Sequence, residues 1–249
     1  MTQIPNIPRE IATALELLQA DLERLAGNNL AGLVLYGGLA RGRFRPGKSD
    51  VNVLVLLHDA SPSALLAVMP ALLAARRSVG VDPMLLTPAE VPRAAAAFPT
   101  KFLDIRNHHQ LLLGEDPFAA LEVSREEVRR RVLQALQNLL MRLRHGFLVA
   151  AGDPLTQTRM LAGVARPLAL ELQSLLALRG HDGNEDDSSA MVFAAAAAAF
   201  GLDAPPLAQL AGLRHDAVVE DPAALFAAVL VVVARAVELV EADQGLADG

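Results

Sequence analysis

Two short aliphatic runs, set apart by a glycine pair and a polar loop, constrain this chain more than any other feature. Leu30–Tyr36 is apolar and stops at Gly37-Gly38. Leu39 to Ser49 is polar, basic and turn-rich, with Pro46-Gly47 inside it. Asp50–Leu57 then runs on as aliphatic residues after its first positions, a pattern that predicts a strand buried on both faces. A sheet covered on both sides needs helices, and the sequence supplies them. Ile11, Leu15, Leu18, Leu22 and Leu25 recur at steps of three or four, an amphipathic helix halted by Gly27-Asn28-Asn29. Ser61-Pro62 opens a second helix running to about Arg77. Val79–Leu86 reads as a third strand, Thr87-Pro88-Ala89-Glu90 as a capping-box helix start, Phe102–Ile105 as a fourth strand, and Gln110–Leu113 closes the unit.

Past Pro117 the strand signal disappears. Helices are expected over Ser124–Ala150, Pro154–Arg179, Ser189–Phe200, Pro206–Leu213 and Pro222–Ala242, with an acidic loop over Gly180–Ser189. The expected organisation is an α/β domain over 1–117 and an all-helical domain over 118–249. A length of 249 residues, at about 150 per domain, agrees with one to two domains. The helix Pro222–Ala242 is apolar nearly all round, so it belongs at the centre of its bundle or at an interface, which leaves a homodimer open.

Composition removes several functions. No cysteine is present, which excludes disulfides, a thiol nucleophile and Cys-type zinc sites. A net charge of −6 argues against bulk nucleic-acid binding. Met1–Glu10 has no apolar core of a signal peptide. The runs Ala190–Phe200 and Ala223–Ala234 fall short of the ~20 residues of a membrane span. A soluble cytoplasmic protein with no membrane partner is expected. Only Lys48 and Lys101 are lysines, the other 20 of 22 cationic residues being Arg, so a lysine in a phosphate loop stands out.

The chemistry is concentrated in Leu35-Tyr36-Gly37-Gly38, eleven intervening residues, then Asp50-Val51-Asn52-Val53. Two glycines let the backbone turn tightly and come close to a ligand. The N–H groups after them are able to cradle phosphate oxygens. Asp50 and Asn52 stand two apart on a strand, hence on one face. Such oxygen donors suit a hard divalent cation, and Asp82 on the next strand completes the set. Asp82 also precedes Pro83, so a turn-forming role is the alternative.

This stretch resembles the signature of the DNA polymerase β-type nucleotidyltransferase superfamily, which has a hydrophobic-Gly-Gly/Ser turn, a comparable spacer, then Asp-hydrophobic-Asp/Glu-hydrophobic. The helical C-terminal half and the order of elements look like the kanamycin and minimal nucleotidyltransferase branch. Phe98-Pro99-Thr100-Lys101-Phe102-Leu103-Asp104-Ile105 with Leu113-Gly114-Glu115-Asp116 is similar to an uncharacterised bacterial group of such proteins. The resemblance covers the first 120 residues. It implies an α+β fold, a mixed sheet flanked by helices and followed by a helical bundle. It also implies Gly37 and Gly38 at the triphosphate turn, with Arg41, Lys48 and Ser49 as further nucleotide contacts. Asp50, Asn52 and Asp82 fall at the catalytic positions, and Asp50 and Asp82 are the Mg²⁺ ligands. Arg41 and Lys48 have solvated loop charges as their alternative.

Two departures from the family pattern shape the expectation. Asn52 replaces the second carboxylate, so one negative charge is missing beside two dications. A hydrogen bond from this amide to Asp50 or to the glycine turn is expected, since a polar residue in an aliphatic strand needs a partner. Relatives that modify aminoglycosides use a helix carboxylate as general base, whereas 128–150 contains no Asp or Glu. Glu126 and Glu127 lie too near the helix start. Glu171 is a stand-in, with an exposed structural position as its alternative. His108-His109 diverge and suit no shared metal, and Arg129–Arg131 reads as a solvated helix face or as the border of a cleft. The resulting expectation is an ATP- or GTP-binding protein with weak or absent nucleotidyl transfer to a small-molecule or protein hydroxyl. The alternative is a non-catalytic binding or assembly module on the same fold.

Overall fold

The computed structural model describes residues 7–42, 44, 49–181, 188–213 and 219–242. Lys48, Arg43, Arg45 and the acidic residues 182–187 lie outside them. Two compact units divide the chain, Met1–Val123 and Ser124–Gly249.

The first unit holds helix α1 (Arg9–Ala26), strands β1 (Leu30–Tyr36) and β2 (Val51–Leu57), helix α2 (Pro62–Val79) and strand β3 (Val81–Leu86). Helices α3 (Val91–Ala97) and α4 (Pro99–Asn107) and strand β4 (His109–Gly114) follow. The four strands form one mixed sheet in the order β3-β2-β1-β4. β1 is antiparallel to both β2 and β4, and β2 is parallel to β3. Side chains alternate between two cores. Leu33, Leu35, Val53, Val55 and Leu57 pack against Ile11, Leu15, Leu18 and Leu22 of α1 and Val68 and Leu72 of α2. Val34, Tyr36, Leu54 and Leu56 pack against Val91, Ala95, Phe102 and Ile105, joined by Phe118 and Leu121. Each fully buried leucine or valine contributes roughly 1.5–3 kcal/mol, which is why β2 is aliphatic at successive positions.

Local signals place the helix ends. The Ser61 hydroxyl accepts from the Ala64 N–H at the start of α2, and Gly80 ends it in the left-handed conformation at φ 72°. Thr87 and Glu90 form a capping box over a short 3-10 turn. The expected strand over 102–105 is instead the middle of α4. Phe102 and Ile105 are both buried, three residues apart, while Lys101 and Arg106 are exposed, a helical spacing opened by Pro99. The fourth strand is the segment after it, His109–Gly114.

The second unit contains α5 (Arg125–Val149), α6 (Pro154–Leu178), α7 (Ser189–Phe200), α8 (Ala204–Gly212) and α9 (Pro222–Ala242). Among the described residues it has no strand. Ser124 and Asp153 cap α5 and α6. By length and composition alone α6 and α9 are long and apolar enough to cross a membrane, which corrects the reading that the apolar runs are too short. Both pack against α5, burying Leu161, Leu168 and Leu172 from α6 and Phe226, Val229 and Val233 from α9. α9 keeps one outer stripe, with Val231, Arg235 and Glu238 exposed.

Gly114 marks the tightest backbone approach in the sheet. It has φ 88°, and a side chain there would strike the Ala31 carbonyl oxygen and come within 2.9 Å of the Gly32 Cα. Gly114→Ala should destabilise the first unit by about 3 kcal/mol, left-handed strain plus overpacking. Gly80→Ala, strained but facing open space, should cost only about 1–2 kcal/mol. Tyr36 is the single tyrosine and no tryptophan is present, so urea unfolding followed by tyrosine fluorescence reports the first unit alone.

Candidate functional site

The register of the sheet places four residues in one row. Tyr36 of β1 is paired with Asn52 of β2, Asn52 with Asp82 of β3, and Tyr36 with His109 of β4. Directly paired residues on neighbouring strands lie about 5 Å apart and point to the same side. Asp82, Asn52 and Tyr36 therefore share one face, the face on which Val34, Leu54 and Leu56 pack against α3 and α4. Asp82 belongs to β3 itself, in register with Asn52, and not to a turn; the Pro83 after it is tolerated because β3 is an edge strand. Asp82 is exposed and Asn52 half-buried. Asp50 stands exposed just ahead of β2, two residues before Asn52, and Ser49 before it is half-buried. The Val51 N–H donates to the Gly80 carbonyl at 3.1 Å and fixes the backbone at that point.

The glycine turn reaches the same row from β1. Gly37 has φ 76°, a conformation that L side chains rarely adopt. A Cβ there would lie 2.8 Å from the Asn52 Nδ2. The Asn52 amide thus rests on the Gly37 backbone. The expected hydrogen bond from this amide to Asp50 or to the turn is not formed among the described residues; close packing on glycine takes its place. Past the turn the chain makes one helical loop, the Arg41 N–H donating to the Gly37 carbonyl at 3.2 Å. Gly38 is half-buried in that turn. Leu39 is buried in the α1/α2 core and Phe44 packs against it, so the polar-looking loop is pinned by two apolar residues.

Helix α4 meets the site with two charges. Arg41 forms an ion pair with Asp104, its side chain only 14% exposed. The arginine expected at phosphate thus ties the turn to α4. The Lys101 ammonium stands 5.9 Å from the centroid of the Tyr36 ring. Burial, and secondarily the Asp82 carboxylate, push the Tyr36 phenol above its ordinary value. Sequence reasoning passed over Lys101 and Tyr36 as site residues. The rarity of lysine was the available signal, but it pointed equally to Lys48, which lies outside the described residues.

Other candidates are engaged locally. His109 turns one ring nitrogen to the Ile105 and Arg106 carbonyls at the end of α4 and the other to Asp116 at 3.2 Å, with its ring against Phe118. His108 lies against the Asp104 carbonyl at 3.3 Å. In the second unit Arg129 is held by Glu126 in a two-point pair at 2.7 and 2.9 Å and donates to the Val240 carbonyl. Glu171 is half-buried rather than exposed; burial raises its carboxyl, partly opposed by Arg131.

Among the described residues no three His, Cys, Asp or Glu side chains gather in a metal-binding group. The oxygen donors in the row itself are the Asp82 carboxylate and the Asn52 amide, and Asp50 lies two residues before Asn52 in the chain. That set suits one hard divalent ion such as Mg²⁺ and is short of charge for two.

No protein-family model matches the chain, and no curated protein matches it. In structure it is similar to the spectinomycin adenyltransferase AAD(9) from Enterococcus faecialis, solved with ATP and spectinomycin. The TM-score is 0.51 at 12% sequence identity, over 90% of this chain and 98% of that one. Such a likeness shows the fold: the mixed four-stranded sheet with its helices, followed by further helices, is the nucleotidyltransferase-like α+β fold.

Gly37→Ala should destabilise the first unit by about 3 kcal/mol, from backbone strain and collision with Asn52. In the Gly37→Ala/Asn52→Ala double variant about 1–2 kcal/mol of this should return, a coupling that a double-mutant cycle in urea measures. The Tyr36 titration gives a second test. Its raised folded value means that its stabilising contribution is complete below the unfolded value of about 10 and is lost as pH rises through the folded value. Asp82→Asn should lower the Tyr36 value without returning it to the ordinary one, because burial is the larger cause. Phenolate absorbance against pH, with one tyrosine to observe, reads this directly.

Proposed function

We propose that the chain binds a nucleoside triphosphate, ATP or GTP, with Mg²⁺ at the Asp82–Asn52–Tyr36 row beside the Gly37-Gly38 turn. Transfer of its nucleotidyl group to a hydroxyl acceptor is weak or absent. The observation that carries the reading is the register: it sets Asp82 and Asn52 side by side and brings the glycine turn into contact with Asn52. Asp50 and Asp82 would hold the ion, which supplies charge neutralisation at the phosphoryl oxygens when bound. Gly37 and Gly38 keep the turn free of side chains where a triphosphate would approach. Ser49 and, outside the described residues, Lys48 are the further nucleotide contacts of this reading. The protein works in the cytoplasm, its two apolar helices serving as core. The neighbour's ATP and spectinomycin favour a small hydroxyl-bearing molecule over a protein as acceptor.

Asn52 is the reason for expecting little turnover. In transfer, the acceptor oxygen forms a bond to the α-phosphorus, the bond to pyrophosphate breaks, and the hydroxyl proton leaves to a base. Charge accumulates on the leaving oxygens, and an amide in place of a carboxylate holds cations there less well. A second reading is that of a binding or assembly module without catalysis. The packing of the Asn52 amide on Gly37 favours it, since that side chain already has a structural role.

Calorimetry with ATP and GTP in the presence of Mg²⁺ tests the proposal. Measurable binding with little or no pyrophosphate release is expected. Asn52→Asp should tighten Mg²⁺-nucleotide binding about tenfold, equivalent to about 1.4 kcal/mol. Absence of nucleotide binding in both proteins would overturn the reading, and rapid turnover by the unaltered chain would overturn its weak-activity part.

A further inference from the structure

We propose that Lys101 is a phosphate-binding residue of this site, supplying from helix α4 a positive charge that contacts the triphosphate beside the row. The inference rests on the nucleotide reading above and names a residue outside the glycine turn and the Asp50-Val51-Asn52-Val53 stretch.

Four observations carry it. First, the Lys101 ammonium is placed 5.9 Å from the Tyr36 ring centroid, and Tyr36 is the immediate register partner of Asn52. Second, the Lys101 ammonium forms no ion pair among the described residues, whereas the nearby Arg41 is occupied by Asp104. An ammonium resting near the outer limit of cation–π contact is weakly held and free to move to a phosphate oxygen. Third, α4 itself does not call for a cation there. Lys101 is in the first turn of the helix, where the backbone dipole favours acidic residues. The natural partner at helical spacing, Asp104 three residues on, is engaged by Arg41. Fourth, among the described residues the donor set leaves a role for a positive group. Asn52 in place of a carboxylate leaves two acids near the row, enough for one divalent ion, while a triphosphate carries more negative charge than one such ion neutralises. A lysine presents a mobile point charge suited to that deficit.

Lys101 is exposed, so replacing it leaves the core intact. The probe is inorganic triphosphate with Mg²⁺, which does not absorb where tyrosine does, with ATP measured in parallel by calorimetry. Triphosphate should change Tyr36 fluorescence in the unaltered protein. Lys101→Gln should weaken both triphosphate and ATP binding about tenfold, and Lys101→Arg should restore most of it. Arg106→Gln removes an exposed cation from the last turn of the same helix and should leave binding unchanged. Urea midpoints of the variants should match that of the unaltered chain. If Lys101→Gln binds both probes as well as the unaltered protein, the Lys101 assignment fails while the nucleotide reading stands. If Arg106→Gln weakens binding equally, the effect is general surface charge and the assignment again fails. If the unaltered protein binds neither probe, the nucleotide reading fails and takes this inference with it.

Discussion

Burial of β2 on both faces governs everything else in the first unit. Val53, Val55 and Leu57 point into one core, and Leu54 and Leu56 into the other. The strand is bonded on one side to β1 and on the other to β3. A one-residue slip would exchange its two faces and unseat both cores at once, so its register is strongly specified. Only at its beginning does the strand become polar, with Asp50 exposed ahead of it and Asn52 half-buried. Chemistry has no other place along this strand. The same register also decides which residues of β1 and β3 stand beside Asn52, and these are Tyr36 and Asp82.

That explains which parts of the fold were legible in the sequence. Leu30–Tyr36 is bounded by Asn29 and Gly37, so its ends were readable to the residue. Helices α5, α6 and α9 are long, α5 and α6 follow the caps Ser124 and Asp153 and α9 begins at Pro222, and their periods are visible without tertiary information. The stretch 102–105 is too short for periodicity to separate helix from strand. Phe102 and Ile105 satisfy a helix at i and i+3, but three apolar residues among four read as strand until their contacts are known. For α6 and α9 the sequence does not say which aliphatic residues a neighbouring helix covers.

The candidate site was legible as residue types and not as contacts. Gly37, Asp50, Asn52 and Asp82 follow from pattern and spacing. That Asp82 lies in register with Asn52 depends on strand pairing across the chain between them, which includes α2. That Asn52 rests on Gly37 depends on a φ of 76° and a separation well under an ordinary van der Waals contact to an added Cβ. The expectation of a hydrogen bond there assumed that the amide needed a polar partner. Half-burial leaves it open to water, and the amide is spent instead on filling the space that glycine leaves. Asn52 therefore has a packing role that is separate from metal chemistry, and its size matters as well as its lost charge.

Helix α4 shows how a short element organises this site from across the sheet face. Its Phe102 and Ile105 anchor it in the core, and one ring nitrogen of His109 faces the carbonyls at its end. Its remaining face carries Lys101 and Asp104 at a spacing that would ordinarily pair them within the helix. The glycine turn changes that outcome. Arg41, nearly buried, takes Asp104, which stays partly exposed. Lys101 is left without its intrahelical acid and stands over Tyr36. The exchange links two consequences to one cause: the arginine nearest the glycines becomes a fastening between turn and helix, and the Lys101 ammonium on the helix stands beside the Tyr36 ring.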